Sequence, residues 1–143
     1  MVRGYIFSRP FMGERVPQHV QNLVIREYCE RNDLLYLLSA TEYSMSDCHL
    51  MLEALLDELP KLQGIVAYSL FQLPESDYAR NRILDRVIAE QKIFHFAVEG
   101  LSVQSIGDHQ RMEWIWKVRR EVDNRIENDV ARRMKPNQQA VQA

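Results

Sequence analysis

The chain has 143 residues, 46% of them hydrophobic and 27% charged, with only 5 Gly and 5 Pro. This is the balance of one compact globular domain and excludes a disordered, collagen-like or disulfide-scaffolded chain. At this length a core buries roughly 68% of the surface the unfolded chain exposes, so folding requires no metal or crosslink. The 18 Lys and Arg against 20 Asp and Glu leave a net charge of −2, and no whole-molecule field draws nucleic acid or an anionic membrane.

Four short apolar runs alternate with segments of helical period, the pattern of strands and helices in a parallel sheet. The predicted strands are Gly4–Phe7, Leu34–Leu38, Gly64–Leu70 and Ile93–Val98, each near-continuously apolar, as strands covered on both faces are. A first helix is expected from Pro17, whose fixed φ suits a first turn, to about Cys29–Asn32. Ser46 with Asp47 is expected to cap a second helix whose core stripe is Leu50, Met51, Ala54, Leu55 and Leu59, closed by Pro60. Ser76 is the expected cap of a third, with Ile83, Leu84, Val87 and Ile88 inward and Arg80, Arg82 and Arg86 in water. The fold class is thus α/β, three-layered, around a mainly parallel four-stranded sheet over residues 1–107.

From Asp108 to Met134 neither Pro nor Gly occurs, while Met112, Ile115, Trp116, Val122, Ile126, Val130 and Met134 step along the chain. That predicts a helix of about 40 Å over 108–134, longer than so small a sheet can cover, and implies a homodimer through it. The polar segment 135–143 is expected to be a flexible tail. Residues 1–110 carry 10 bases and 15 acids and residues 111–143 carry 8 and 5. The basic end is interleaved with Glu121, Asp123, Glu127 and Asp129, which reads as ion pairs along a helix, and no nucleic acid partner is expected. The absence of an 18-residue apolar stretch or a leader-like start, and two unpaired cysteines, Cys29 and Cys48, point to a reduced, cytoplasmic chain without a membrane partner.

Parallel sheets bind ligands at the carboxyl ends of their strands. After the first strand, Ser8 to Gln18 forms a polar loop in which Arg9 and Arg15, leading to a helix N-terminus near Gln18, suit a phosphate or carboxylate. After the second, the hydroxyl-rich run Ser39 to Ser46 offers Thr41, Glu42 and Tyr43 to a polyhydroxyl ligand, and the third contributes Ser69, Gln72 and Glu75. Ser8 is a weak nucleophile candidate, because no histidine is expected in a strand-end loop: His49 is read as opening the second helix and His95 as a core residue. No two ligands stand at metal-binding spacing, and neither a metal nor a cofactor is expected.

The run Gly4 to Asn22, with Leu38-Ser39-Ala40-Thr41-Glu42-Tyr43 and Tyr68-Ser69-Leu70-Phe71-Gln72-Leu73-Pro74, resembles the sporadic carbohydrate cluster protein family over about residues 1–120. The resemblance implies a place in bacterial surface-carbohydrate biosynthesis and no particular reaction. A remoter resemblance is to the catalytic domain of serine recombinases, the resolvases and invertases. It rests on a serine after strand 1, a glutamine-bearing first helix, a Leu-x-x-Leu segment after strand 3, Glu99-Gly100-Leu101-Ser102 after strand 4, and a long final helix. It implies a resolvase-like fold. The recombinases' arginine-bearing strand-3 motif is replaced here by Phe71-Gln72-Leu73-Pro74-Glu75.

Two functions from different classes follow. One is a protein that binds or transforms a sugar, sugar nucleotide or sugar acid, Arg9 and Arg15 meeting its anionic group and Glu42, Tyr43, Gln72 and Glu75 its hydroxyls. The alternative is a non-catalytic dimeric partner or regulator of a carbohydrate-biosynthesis enzyme, with a degenerate recombinase-like domain as the third reading.

Overall fold

The computed structural model describes residues 1–134, so the expected tail at 135–143 lies outside the described residues. Residues 1–110 form one compact unit and the chain from Arg111 a second. The first unit is built on a five-stranded sheet of order β2-β1-β3-β4-β5, with β1 Val2–Phe7, β2 Tyr36–Glu42, β3 Gly64–Ala67, β4 Ile93–Phe96 and β5 Leu101–Val103. The first four strands are parallel, and β5 returns antiparallel to β4. The fifth strand is additional to the four expected; it follows a tight turn in which Gly100, at φ +64°, donates its N–H to the Phe96 carbonyl.

Helix α1, Gln18–Arg31, crosses one face, where Ile25, Tyr28 and Cys29 meet Val2, Ile6, Val66 and Ala97. The opposite strand parity, Tyr5, Phe7, Ile65, Ala67, Phe94 and Phe96, is equally buried, on the side of α2 (Leu50–Glu58) and α3 (Asp77–Ala89). That distribution of helices follows from right-handed crossovers when the chain steps from β1 outward to β2 and back past it to β3. Gly4 in the middle of β1 is required by close approach, since a Cβ there would strike the Ser39 Oγ of the neighbouring strand.

Several local expectations are corrected. The second strand starts at Tyr36 and not at Leu34, and its Leu37 and Leu38 are exposed because it is the sheet edge and not a doubly covered strand. The third strand ends at Ala67, and Leu70–Gln72 forms a 3-10 turn. Helix α2 begins at Leu50, uncapped by Ser46 or Asp47; this start turns Leu50 and Ala54 to solvent and buries Leu52, Leu55 and Leu56. Ser76 does cap α3, its Oγ accepting from the Ala79 N–H at 3.3 Å. Arg80, expected in water, is 1% exposed: it donates to the Pro74 and Glu75 carbonyls at 3.0 and 3.1 Å and pairs with Asp77 at 2.7 Å. Its guanidinium thus satisfies the chain that turns from β3 into α3. Arg82 and Arg86 pair with Glu53 and with Asp57 and Glu90 on the surface.

The long helix α4, Ile106–Met134, is present and carries the i,i+4 pairs Arg119–Asp123 and Arg133–Asp129. No helix among the described residues is long and apolar enough to cross a membrane.

Under α1, His95 of β4 is buried with its Nδ1 2.8 Å from the Tyr28 hydroxyl. Burial lowers its pKa from 6.5 to about 4. Below pH 6.5 the unfolded chain therefore takes up a proton that the folded chain refuses, and stability falls until pH 4 is reached. The shift corresponds to roughly 3 kcal/mol. Urea unfolding at pH 7 and pH 4.5 should show His95→Gln losing less stability on acidification than the parent; an equal loss in both proteins would contradict this assignment.

Candidate functional site

The carboxyl ends of β1, β2 and β3 carry two networks of polar side chains, most of them satisfied within the protein. Glu42, the last residue of β2, is 1% exposed. Its carboxylate accepts from the Tyr5 hydroxyl at 2.8 Å, from the Met51 N–H at 3.0 Å, from the Leu52 N–H at 3.2 Å and from its neighbour Tyr43 N–H at 3.1 Å. It is therefore the cap of α2, placed where unpaired amides and the helix dipole favour negative charge. Burial, and then the Glu42 charge, hold the Tyr5 hydroxyl well above its ordinary pKa, so it remains a donor.

A second network ties α1 to the β3 end. Gln21, fully buried, pairs with both the N–H and the carbonyl of Phe7 at 2.9 Å and accepts from Gln72 Nε2 at 2.8 Å. Gln72 in turn accepts from the Ser69 N–H at 3.2 Å, while Ser69 Oγ donates to Glu99 at 2.9 Å. Burial raises the Glu99 pKa, opposed by the Leu70 N–H and the Ser69 hydroxyl.

Beside these networks lies a cleft of about 230 Å³. Its walls are the Phe7, Phe11 and Phe71 rings with Leu73, and its polar groups are Arg9, Ser46, Asp47, His49 and Glu75. Phe11 and Met12 reach it from a four-residue turn closed by paired Phe11 and Glu14 backbone bonds. Met12 and Gly13 both have positive φ, +50° and +76°, the geometry of a hairpin turn whose twist matches its flanks. The Arg9 guanidinium lies 4.1 Å over the Phe7 ring and donates from Nη1 to the Tyr43 carbonyl at 2.7 Å. One of its five donors is thereby used, and the stacking fixes the plane of the rest.

His49 lines the cleft at the start of α2, so a histidine does stand in a strand-end loop, contrary to the sequence expectation. Its ring is 6.0 Å from that of Phe7, and its Nε2 is covered. Desolvation lowers its pKa and the Arg9 charge adds to the effect, opposed by the backbone of Asp47, the Glu42 charge and the backbone of Gln72. A second cleft, of about 220 Å³, shares Asp47, His49 and Glu75 with the first and continues past Glu53 and Ser76 to Ala79 and Ile83.

Of the residues singled out in the sequence, Arg9 and Glu75 meet in the first cleft. Tyr43 is exposed beside it and bonded through its carbonyl to Arg9. Glu42, Ser69 and Gln72 are buried in the two networks, and Thr41 is a half-buried β2 residue paired with Ile6. Arg15 and Gln18 are exposed and lie outside the lining of either cleft. Ser8 donates its hydroxyl to the Glu42 carbonyl at 2.9 Å, a bond to backbone and not to a base. Among the described residues no group of three or more His, Cys, Asp or Glu could hold a metal. His49, Asp47 and the aromatic walls carried one sequence signal, their position in strand-end segments.

No family model matches the chain, and no curated protein does. Among solved structures it is similar to the N-terminal catalytic domain of TP901-1 integrase, with 16% identity and a TM-score of 0.58 over 87% of this chain and 98% of that domain. It is also similar to a resolvase family site-specific recombinase from Streptococcus pneumoniae, with 9% identity and a TM-score of 0.61 over 94% of this chain and all of that one. The chain therefore has the resolvase-like α/β fold, at identities where the likeness is one of fold alone.

The capping role of Glu42 has a direct test. In Glu42→Gln the charge is lost and an N–H₂ replaces an oxygen that accepts backbone N–H groups, which should cost about 2–3 kcal/mol and lower the melting temperature by roughly 5–10 °C. An unchanged melting temperature would show that the cap contributes nothing.

Proposed function

We propose that the protein binds a sugar, sugar nucleotide or sugar acid in the strand-edge cleft, as a component of bacterial surface-carbohydrate biosynthesis. The observation that carries this reading is the cleft itself: Phe11, Phe71 and Leu73 give it an apolar lining for the C–H face of a sugar ring, the Arg9 fork stacked on Phe7 offers donors to an acidic group, and Asp47 and Glu75 offer acceptors to hydroxyls. The resemblance of residues 1–120 to the carbohydrate cluster family supports the pathway. On this reading Arg9, His49 and Glu75 contact the ligand, and Glu42, Ser69 and Gln72 hold the walls in place. A thermal-shift screen against nucleotide sugars, sugar phosphates and acidic sugars should give a hit that Arg9→Ala abolishes. A ligand at 100 times its dissociation constant adds about 2.7 kcal/mol, several degrees for a chain of this size. A hit that Arg9→Ala leaves intact, or no hit at all, argues against the cleft as the binding site.

The second reading, a dimeric partner, is favoured by α4. Trp114, Val118, Val122, Ile126, Val130 and Met134 recur at every fourth residue and are all exposed, whereas Trp116 is buried. Such an i±4n ridge seats in the matching groove of a second copy, with helices crossing at about −50°. The parent protein should have twice the monomer mass in light scattering and Ile126→Glu the monomer mass, and a monomeric parent would remove this reading.

A further inference from the structure

The exposed ridge of α4 fixes neither the direction of a second copy nor its register. Val118, Val122, Ile126 and Val130 are nearly alike, and a slip of four residues replaces one aliphatic contact by another. The row beside the ridge is not uniform. Glu113, Lys117, Glu121, Arg125, Asp129 and Arg133 alternate in sign at every fourth residue, and all but Glu113 are exposed. Glu121 and Arg125 make no ion pair among the described residues. Lys117 lies 5.9 Å over the Trp114 ring of its own helix. The i,i+4 pairs Arg119–Asp123 and Arg133–Asp129 also lie within one helix and stand whatever the direction of a partner, so they do not choose between orientations.

We infer that α4 docks on a second copy of this chain in the antiparallel sense, about a two-fold axis beside Asp123, and that the alternating row sets the register. This rests on the dimer reading and adds to it the direction of the partner helix. A two-fold axis perpendicular to two antiparallel helices sets each flank against the same flank of the other copy. Centred at Asp123, it brings Glu121 to Arg125 of the second copy, Lys117 to its Asp129 and Glu113 to its Arg133, and the symmetry forms each pair twice. The ridge meets itself about the next residue, Val122 against Ile126 and Val118 against Val130 of the second copy. A slip of four residues in either direction sets like charge against like, Glu121 against Asp129 or Lys117 against Arg125, so one register is selected and its neighbours are excluded. On the other flank Arg119 meets Glu127 of the second copy, and the one like pair, Asp123 with its own copy, is offset by the Arg119 bonded to each. A parallel pair sets unlike flanks together, with Lys117 beside Arg119 of the second copy and Asp129 beside its Glu127. Exposed ion pairs add little affinity one by one; here they choose among arrangements of equal apolar contact.

Light scattering over a dilution series of the full chain tests the direction and the dimer separately. Glu121→Arg and Arg125→Glu should each weaken the dimer about tenfold or more, since each turns two attractive contacts repulsive. The double variant restores opposite charge across the axis and should return to within about threefold of the parent. In the parent, a zero-length carbodiimide link should join Lys117 to Asp129; the two stand about 18 Å apart along one helix, so the link forms only between copies. A dimer that lacks this link, or whose double variant stays as weak as the single ones, overturns the antiparallel register and leaves the dimer reading standing. A monomeric parent overturns both. Glu121 and Arg125 are exposed, and an unchanged far-ultraviolet circular dichroism spectrum in each variant separates loss of pairing from loss of fold.

Discussion

The carboxylate of Glu42 is the constraint on which the strand-edge region depends. It ends the edge strand β2, takes the Tyr5 hydroxyl from the central strand, and receives the first amides of α2. One side chain thus fixes the start of α2, the β2 register against β1, and the loop between them that presents Asp47 and His49. A buried carboxylate is tolerated only when its lone pairs are filled, and here the helix terminus itself supplies the donors. The later helix start is a direct consequence, because the cap comes from the strand and not from the serine and aspartate just ahead of the helix.

The Gln21–Gln72 network does the same for the opposite wall. Gln21 anchors the end of β1 through both backbone groups of Phe7, and Gln72 carries that anchor to the 3-10 turn after β3. The polar residues that look most like ligand readers in the sequence are thereby used as struts. What they hold open is a cleft of aromatic and charged groups, Phe7, Phe11, Phe71, Arg9 and His49. The recombinase structures share this fold at 9–16% identity, a likeness of frame that by itself carries no chemistry.

Much of the architecture was legible because it is written in short-range patterns. The period of α1, the Ser76 cap of α3 and the unbroken run of α4 all appear near where local rules place them, since each depends on neighbours within one or two turns. The misreadings have a common origin. Leu34–Leu38 is as apolar as a core strand, yet β2 lies at an edge, and only the strand order says so. Arg80 has the spacing of a surface arginine, yet it is buried by carbonyls of the preceding turn. Leu101–Val103 is too short to stand out, and it is a strand because β4 offers it a free edge.

The sequence by itself determined the class of fold, the number and order of its helices, and the strand-end segments in which a site has to lie, because hydrophobic period and turn chemistry are local. Only the tertiary structure decided which of those residues face one another. It committed Glu42, Ser69 and Gln72 to the framework and brought His49, Asp47 and three phenylalanines to the cleft with Arg9. That choice depends on sheet order and helix start, which set side-chain direction between residues far apart in the chain, such as Arg9 and Tyr43 or Gln21 and Gln72, where no local pattern carries information.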